Sequence, residues 1–126
     1  FVPDRVATFT SDDVDRLVNT PGIIHNRRKI EAAISNAHAT LAMRNTSEAT
    51  DGPSHLGEFV WSYRPTHDPR PRSHNEVPTQ LPESVALAAD LKSRGFKFVG
   101  PTTMLALMAA IGIVNTDIVG THRRPR

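Results

Sequence analysis

The chain has 126 residues, of which 38% are hydrophobic, 22% charged and 6% aromatic, a composition typical of a soluble globular domain. No apolar run approaches the roughly 20 residues of a membrane-spanning helix. Without cysteine, the chain has no disulfide, thiolate nucleophile or cysteine-ligated metal site. Fifteen basic and thirteen acidic residues give a net charge of +2, which supports nucleic-acid binding only weakly. The lack of cysteine fits a reducing compartment, so we expect a cytoplasmic protein without a membrane partner.

Residues 11–44 predict two helices joined by a tight turn. Ser11 is a suitable N-cap for the first helix, and Pro21 and Gly22 end it. The second helix is expected from about His25 to Arg44. Its apolar residues repeat with the spacing of one buried helix face, which consists of Ile30, Ala33, Ile34, Ala37 and Leu41.

The following segments predict two more helices separated by a loop. A helix of about two turns is expected over residues 56–63. Residues 64–82 contain five prolines and predict an extended loop. Pro82 opens the next helix, which runs to about Arg94 and is closed by Gly95. Glu83 and Asp90 on this helix are expected at the surface.

The C-terminal part predicts one further helix. Residues 96–100 read as an extended link anchored by Phe96 and Phe98. Pro101 suits the first turn of a last helix that ends at Gly112. Apolar side chains point to all sides of this helix, so we expect it to be buried centrally. The basic tail, residues 122–126, is expected to fray. Together the elements predict an all-α fold.

The most informative local pattern is the turn between the first two long helices. A Pro-Gly pair followed by Ile23 and Ile24 is typical of a helix-hairpin-helix motif. Gly22 lets the backbone approach a ligand closely, and the amides before the second helix favour a phosphate oxygen. Cations at 27–29 oppose the helix dipole, and a bound anion would relieve that conflict. The alternative is an ordinary helical hairpin with a solvated basic end.

The other polar residues form no recognisable catalytic pattern. The six histidines lack the spacing of a metal motif, and the chain contains no nucleophile elbow, Walker loop or dinucleotide-binding loop. Asp117 and His122 are close enough in sequence to share a metal, although two ligands do not make a site. The residues alone therefore indicate a helical protein that binds the DNA backbone and has no visible catalytic group.

Several stretches of the sequence resemble the Tag family of bacterial 3-methyladenine DNA glycosylases I, which are helix-hairpin-helix glycosylases. They are residues 12–17, 21–30, 36–37, 59–62 and above all 94–103. Residues 114–115 and 119–120 continue the similarity, which covers nearly the whole chain in order. The resemblance implies one helical domain over residues 1–126, with the helix-hairpin-helix at about 11–44. It would be the C-terminal two thirds of such a glycosylase, incomplete at the N-terminus.

The family's activity follows as an expectation from this resemblance. Such enzymes flip 3-methyladenine out of alkylated double-stranded DNA and hydrolyse its N-glycosidic bond. The methylated base is a cationic leaving group, so little acid catalysis is needed. The family's base-contacting Glu, most pocket aromatics and first zinc ligands lie in an N-terminal segment without a counterpart here, so we assign no catalytic residue. That segment is a possible partner, and we expect the complete protein to be a monomer.

The resemblance also implies particular binding residues. The amides of Gly22, Ile23 and Ile24 would bind a DNA phosphate, together with Arg27 or Lys29. On the last helix, Leu105 and Ala106 stand where the family often has Tyr and a small residue at the edge of the base pocket.

The family's cofactor is expected to differ here. Its structural zinc is held by Cys and His, whereas this chain has Asp117 and Thr121 at the second ligand pair, with His122 next. We therefore expect no zinc site of the usual form, leave Asp117 and His122 as the candidate ligands, and expect no required cofactor. An alternative function is a non-catalytic helix-hairpin-helix DNA-binding module derived from this family.

Overall fold

The computed structural model describes residues 2–47 and 55–125, and within them the protein is all-α, as predicted. Its helices are α1 (Pro3–Val6), α2 (Ser11–Val18), α3 (Arg27–Ser47), α4 (Leu56–Trp61), α5 (Pro82–Ser93) and α6 (Pro101–Ala110). A short 3₁₀ helix, His74–Glu76, interrupts the proline-rich loop. No helix in the described ranges is long and apolar enough to cross a membrane.

The chain divides into two compact units. The hairpin unit comprises Phe1–Leu56 and Leu91–Phe98, and the α6 unit comprises Gly57–Asp90 and Val99–Arg126. In the hairpin unit, α1 and α2 pack against α3. The single domain over residues 1–126 stays a prediction.

The N-terminus of α2 lies one residue earlier than predicted, with Thr10 rather than Ser11 as its N-cap. The carboxylate of Asp13 accepts hydrogen bonds from the Thr10 amide at 2.9 Å and from the Thr10 hydroxyl at 3.3 Å. This is the reciprocal half of a capping box, in which the third helical residue satisfies the cap's own amide. The backbone hydrogen bond from Thr10, together with Arg16, holds the pKa of Asp13 below its ordinary value.

Helix α3 begins at Arg27, two residues later than predicted, because Asn26 is its N-terminal cap. The Asn26 side-chain oxygen accepts the Lys29 amide at 3.2 Å. The predicted buried face was also misplaced, since Ile30 and Leu41 are only half-buried. The positions that are buried carry mainly small side chains, namely Ala32, Ala37, Ala39, Thr40 and Met43. Small side chains allow neighbouring helices to approach closely, which periodicity alone does not reveal.

Helix α5 has the predicted bounds within one residue. The buried Ser84 hydroxyl accepts the Leu81 amide at 2.9 Å and lies at 2.9 Å from the Leu81 carbonyl, so it caps the first turn. Gly95 has a φ of 92° and ends the helix. Asp90 was predicted at the surface, but it is half-buried and accepts a hydrogen bond from the Tyr63 hydroxyl at 2.5 Å.

Two expectations about the apolar residues after α5 were wrong. Phe96 is buried, but Phe98 is 56% exposed and therefore anchors nothing. Helix α6 is only partly buried: Met104, Leu105 and Met108 lie in the core, whereas Leu107 is exposed. An all-apolar helix is buried on every side only when chain surrounds it, and one face of α6 remains open.

The basic tail is not frayed over its described residues. The Arg124 guanidinium donates hydrogen bonds to the carbonyls of Pro69, Asn115 and Asp117, at 2.5, 3.2 and 3.3 Å. Its backbone closes a turn with Thr121, where the Arg124 amide donates to the Thr121 carbonyl at 3.0 Å. These bonds fix the tail to the proline-rich loop, because a guanidinium can satisfy several carbonyls at once.

Candidate nucleic-acid interface

Residues 19–26, the hairpin turn, join α2 to α3 and form the predicted turn. Gly22 has a φ of 87°, a conformation that side-chain-bearing residues rarely adopt. Ile23 and Ile24 are 44% and 69% exposed. Within residues 2–47 and 55–125, the amides of Gly22, Ile23 and Ile24 have no hydrogen-bond acceptor. The turn thus presents three donors to solvent, as a phosphate-binding loop requires.

Polar contacts at its base hold the hairpin turn in place. The His25 ring lies with Nε2 at 2.5 Å from the Thr20 carbonyl, and because a carbonyl only accepts, Nε2 carries the proton. The Thr20 hydroxyl donates to the Arg16 carbonyl at 2.8 Å, and the Asn19 amide group donates to the Asp15 carbonyl at 2.9 Å. These clamps were not predicted, since hydrogen bonds of side chains to the backbone leave no periodic signal in a sequence.

The predicted cation Arg27 is engaged within the protein. Its guanidinium donates a hydrogen bond to Asp15 on α2 and lies 3.8 Å from Glu31 on α3. The hydrogen bond with Asp15 raises the pKa of Arg27, so the residue stays cationic. Arg27 therefore links α3 to α2, and a phosphate would have to compete with Asp15 for the Arg27 guanidinium.

Two neighbouring cations are free to meet an anion. Arg28 and Lys29 are both exposed, and within the described ranges neither side chain forms an ion pair. Both follow the N-terminus of α3, where cations oppose the helix dipole and a bound anion is favoured. The structure therefore supports Lys29 as a phosphate contact better than it supports Arg27.

The two positions predicted at the pocket edge differ in location. Ala106 lines a cavity of about 650 Å³ in the α6 unit, together with Asn115, Asp117 and Arg123. Leu105 is buried at 4% exposure and is not among the residues that line this cavity. Residues 105 and 106 lie 100° apart around the helix, so only one of them faces the opening.

The candidate metal ligands Asp117 and His122 lie in the α6 unit. Asp117 and His122 both line a cavity of about 350 Å³. No group of three or more His, Cys, Asp or Glu side chains assembles anywhere in residues 2–47 and 55–125. A structural zinc has four ligands, of which Asp117 and His122 would supply two, and zinc binding at these residues stays a prediction.

Sequence comparison identifies the family. The sequence profile of the methyladenine glycosylases matches residues 1–124. This chain belongs to the methyladenine glycosylase family.

Individual relatives agree with this assignment. DNA-3-methyladenine glycosylase 1 of Escherichia coli (strain K12) is 42% identical over 123 residues, which are 95% of this chain and 62% of that protein. A solved structure of 3-methyladenine DNA glycosylase I (TAG), also 42% identical, matches 98% of this chain and 65% of its own with a TM-score of 0.85. A variant of a TAG enzyme, solved in complex with 3-methyladenine, is 30% identical and matches 98% of this chain and 64% of its own with a TM-score of 0.80.

The chain thus spans about 62% of the length of the E. coli relative. The similarity in structure establishes for this chain the all-α fold of its structural relatives. It also confirms the resemblance on which the site predictions depend. The individual site residues at the hairpin turn, at Ala106 and at Asp117 stay predictions.

Proposed function

We propose that this chain acts in base-excision repair, in a protein that hydrolyses the N-glycosidic bond of 3-methyladenine in alkylated double-stranded DNA. The observation that carries the proposal is the 42% identity over 95% of the chain to a DNA-3-methyladenine glycosylase. The chemistry is favourable because methylation at N3 makes the base a cationic leaving group. The enzyme then mainly needs to flip and hold the base.

The hairpin turn is the proposed contact to the DNA backbone. Its three free amides would donate hydrogen bonds to a phosphate oxygen, and Lys29 would neutralise charge beside it. These contacts fix the position of the duplex and do not read its sequence. Ala106, which lines the cavity of the α6 unit, is proposed to border the flipped base, because its side chain is exposed and small.

We assign no catalytic residue to this chain. By the family resemblance, the base-recognising Glu and aromatic residues would lie in the part of the relatives that this chain does not match. This chain covers 62% of the E. coli protein, so that part is the remaining 38%. We propose that this part is the chain's principal protein partner. The complete protein would be a monomer that acts in the cytoplasm, where bacterial DNA is found.

The experiment that tests the activity compares two proteins. The first is the 126-residue chain as given. The second is a chimera in which the unmatched N-terminal part of the E. coli relative precedes it. Release of free 3-methyladenine from methylated duplex DNA is measured for both. We expect the chain alone to bind DNA without release and the chimera to release the base.

The possible outcomes separate the hypotheses. A folded chimera that binds methylated DNA but releases no base would contradict the proposed activity and favour the non-catalytic DNA-binding module. Release by the chain alone would support glycosylase activity but contradict our placement of the catalytic groups outside it. Circular dichroism of the chimera ensures that a negative result is not caused by misfolding.

The contact at the hairpin turn is tested by Gly22→Pro. Proline lacks the amide donor and has a φ near −65°, so it cannot adopt the φ of 87° at this position. We expect duplex affinity to fall about 5- to 150-fold, as for loss of a charge-assisted hydrogen bond of roughly 1–3 kcal/mol. Unchanged affinity in a folded variant would show that the turn is an ordinary helical hairpin.

The proposed phosphate contact of Lys29 is tested by Lys29→Gln. It should weaken binding to all duplex sequences about equally and reduce the slope of log K against log salt by about one. Lys92→Gln is the matched control, because Lys92 is also an exposed lysine but lies in the last turn of α5. If both variants changed the slope equally, the effect would reflect net charge rather than a contact.

A further inference from the structure

Phe98 has an unusual backbone conformation. Its φ of 60° makes it the one residue other than glycine with a positive φ in the described ranges. For a side-chain-bearing residue this region is unfavourable, because the Cβ atom comes too close to a carbonyl oxygen. The residue is nevertheless 56% exposed, so burial does not compensate for the strain. Residues held in such conformations often serve binding sites, where the strain sets a side chain in a useful direction.

A side chain on α3 holds the preceding residue. The Lys97 amide donates to the side-chain oxygen of Asn36 at 2.8 Å, and the Asn36 side-chain nitrogen donates to the Lys97 carbonyl at 3.1 Å. This pair of bonds imitates a backbone pairing and fixes the peptide groups on both sides of Lys97. The segment therefore stays in place against α3 while the Phe98 ring points outward.

The exposed ring borders a cavity in the hairpin unit. The cavity has a volume of about 460 Å³ and is lined by Arg28, Glu31, Ala32, Lys97 and Phe98. Its size lies within the range of small-molecule sites. Within residues 2–47 and 55–125, neither Arg28 nor Lys97 forms an ion pair, whereas Glu31 lies 3.8 Å from Arg27. The lining thus combines two unpaired cations, one carboxylate and one aromatic residue.

We propose that this cavity is a nucleotide subsite, in which an unstacked base lies on the Phe98 ring and its phosphate binds Arg28 and Lys97. An aromatic ring beside free cations is the arrangement with which proteins bind single-stranded nucleic acid. Arg28 and Lys97 come from different segments, so they can approach a phosphate from two sides. Bound phosphate also relieves the unfavourable position of Arg28 near the N-terminus of α3.

The subsite deepens the proposed function and depends on it for the source of the nucleotide. A DNA strand opened during base flipping would supply an unpaired nucleotide at the surface of the protein. A free mononucleotide has the same chemistry, and the experiment must distinguish the two. The subsite shares no residue with the predicted contacts of the hairpin turn, so the two can fail independently.

The experiment measures binding of a labelled oligothymidylate of about six nucleotides to the 126-residue chain by fluorescence anisotropy. Phe98→Gly removes the stacking face, and we expect the dissociation constant to rise about 5- to 150-fold. Lys97→Gln should reduce the slope of log K against log salt by about 0.7, whereas Lys92→Gln, outside the cavity, should alter it less.

Stability distinguishes a binding ring from a structural one. Glycine adopts a φ of 60° without strain, so the melting temperature of Phe98→Gly should be unchanged or a few degrees higher. A marked fall in melting temperature together with the loss of binding would overturn the proposal, because the ring would then support the fold.

Further arms identify the source of the nucleotide. Thymidine monophosphate is expected to compete with the oligonucleotide only weakly. Competition at equal concentration would overturn the assignment to a DNA strand, and absence of binding by either ligand would overturn the subsite itself. Gly22→Pro is expected to lower duplex affinity while leaving oligothymidylate binding unchanged. Equal loss in both assays would show that the hairpin turn, rather than the cavity, binds the single strand.

Discussion

The hairpin turn and helix α6 differ in how far their apolar side chains are buried. In the turn, Ile23 and Ile24 are exposed, and side-chain hydrogen bonds from Thr20 and His25 fix the backbone. In α6, three of the apolar side chains are buried, and Met108 has no exposed surface. The turn is therefore held by local polar contacts, while α6 is held by packing.

This contrast separates the residues for binding from the residues for stability. A turn that hides neither its amides nor its isoleucines keeps them available for a ligand. Substitutions there should change DNA affinity more than the free energy of unfolding. Substitutions on the buried face of α6 should do the reverse, because they open cavities in the core.

The largest stability effect is expected for Met108→Ala. Met108 is fully buried, so its truncation should lower the free energy of unfolding by about 2–5 kcal/mol. The control is Leu107→Ala, one residue earlier on the exposed side of α6, for which urea denaturation should show a much smaller loss. Similar losses for the two variants would mean that α6 is packed on all sides, as the sequence alone suggested.

Gly22→Ala should have a smaller effect on stability. No atom lies within 4 Å of the added Cβ, so the cost is conformational and amounts to about 1–2 kcal/mol. Gly100→Ala is a matched control, because that site is equally open and Gly100 has a φ of −67°. The comparison would be contradicted if thermal unfolding showed the same change for both glycines.

The sequence predicted the helices better than it predicted the faces they bury. Helix positions follow from periodicity and from breakers such as Gly95 and Pro101, which act locally. The buried face of α3 was misplaced in part, because Ala32 and Ala39 are buried beside the predicted Ala37 although alanine contributes little to a hydrophobic pattern. The contact of Arg124 with the Pro69 carbonyl joins residues 55 positions apart in sequence, which no local pattern reports.

The candidate site was predictable to a similar extent. The Pro-Gly turn and the resemblance identified the exposed amides at residues 22–24. They did not show that Asp15 forms an ion pair with Arg27, because this pair joins two different helices, α2 and α3. Phe98 was predicted as an anchor because its residue type favours burial, whereas in the structure it has a positive φ and is exposed.

His25→Ala tests the polar clamp of the hairpin turn. Loss of the bond to the Thr20 carbonyl should lower the free energy of unfolding by about 0.5–1.5 kcal/mol, and looser amides should also weaken duplex binding. His38→Ala is the control, because His38 is exposed on α3 away from the turn. Retained duplex affinity in His25→Ala, measured by anisotropy, would show that the amides are positioned without this clamp.

The smallest effect concerns the cap of α2 and depends on pH. The hydrogen bond from the Thr10 amide lowers the pKa of Asp13 below 3.8, so the carboxylate stabilises the folded chain. That contribution is present above the unfolded-state pKa of about 3.9 and is lost as the pH falls through the lower folded-state value. Melting temperatures should therefore decline less steeply below pH 4 for Asp13→Asn than for the unmodified chain. Asp12→Asn removes the same charge one residue away without touching Thr10, and an equally flattened profile there would show that the helix dipole, rather than the cap, is responsible.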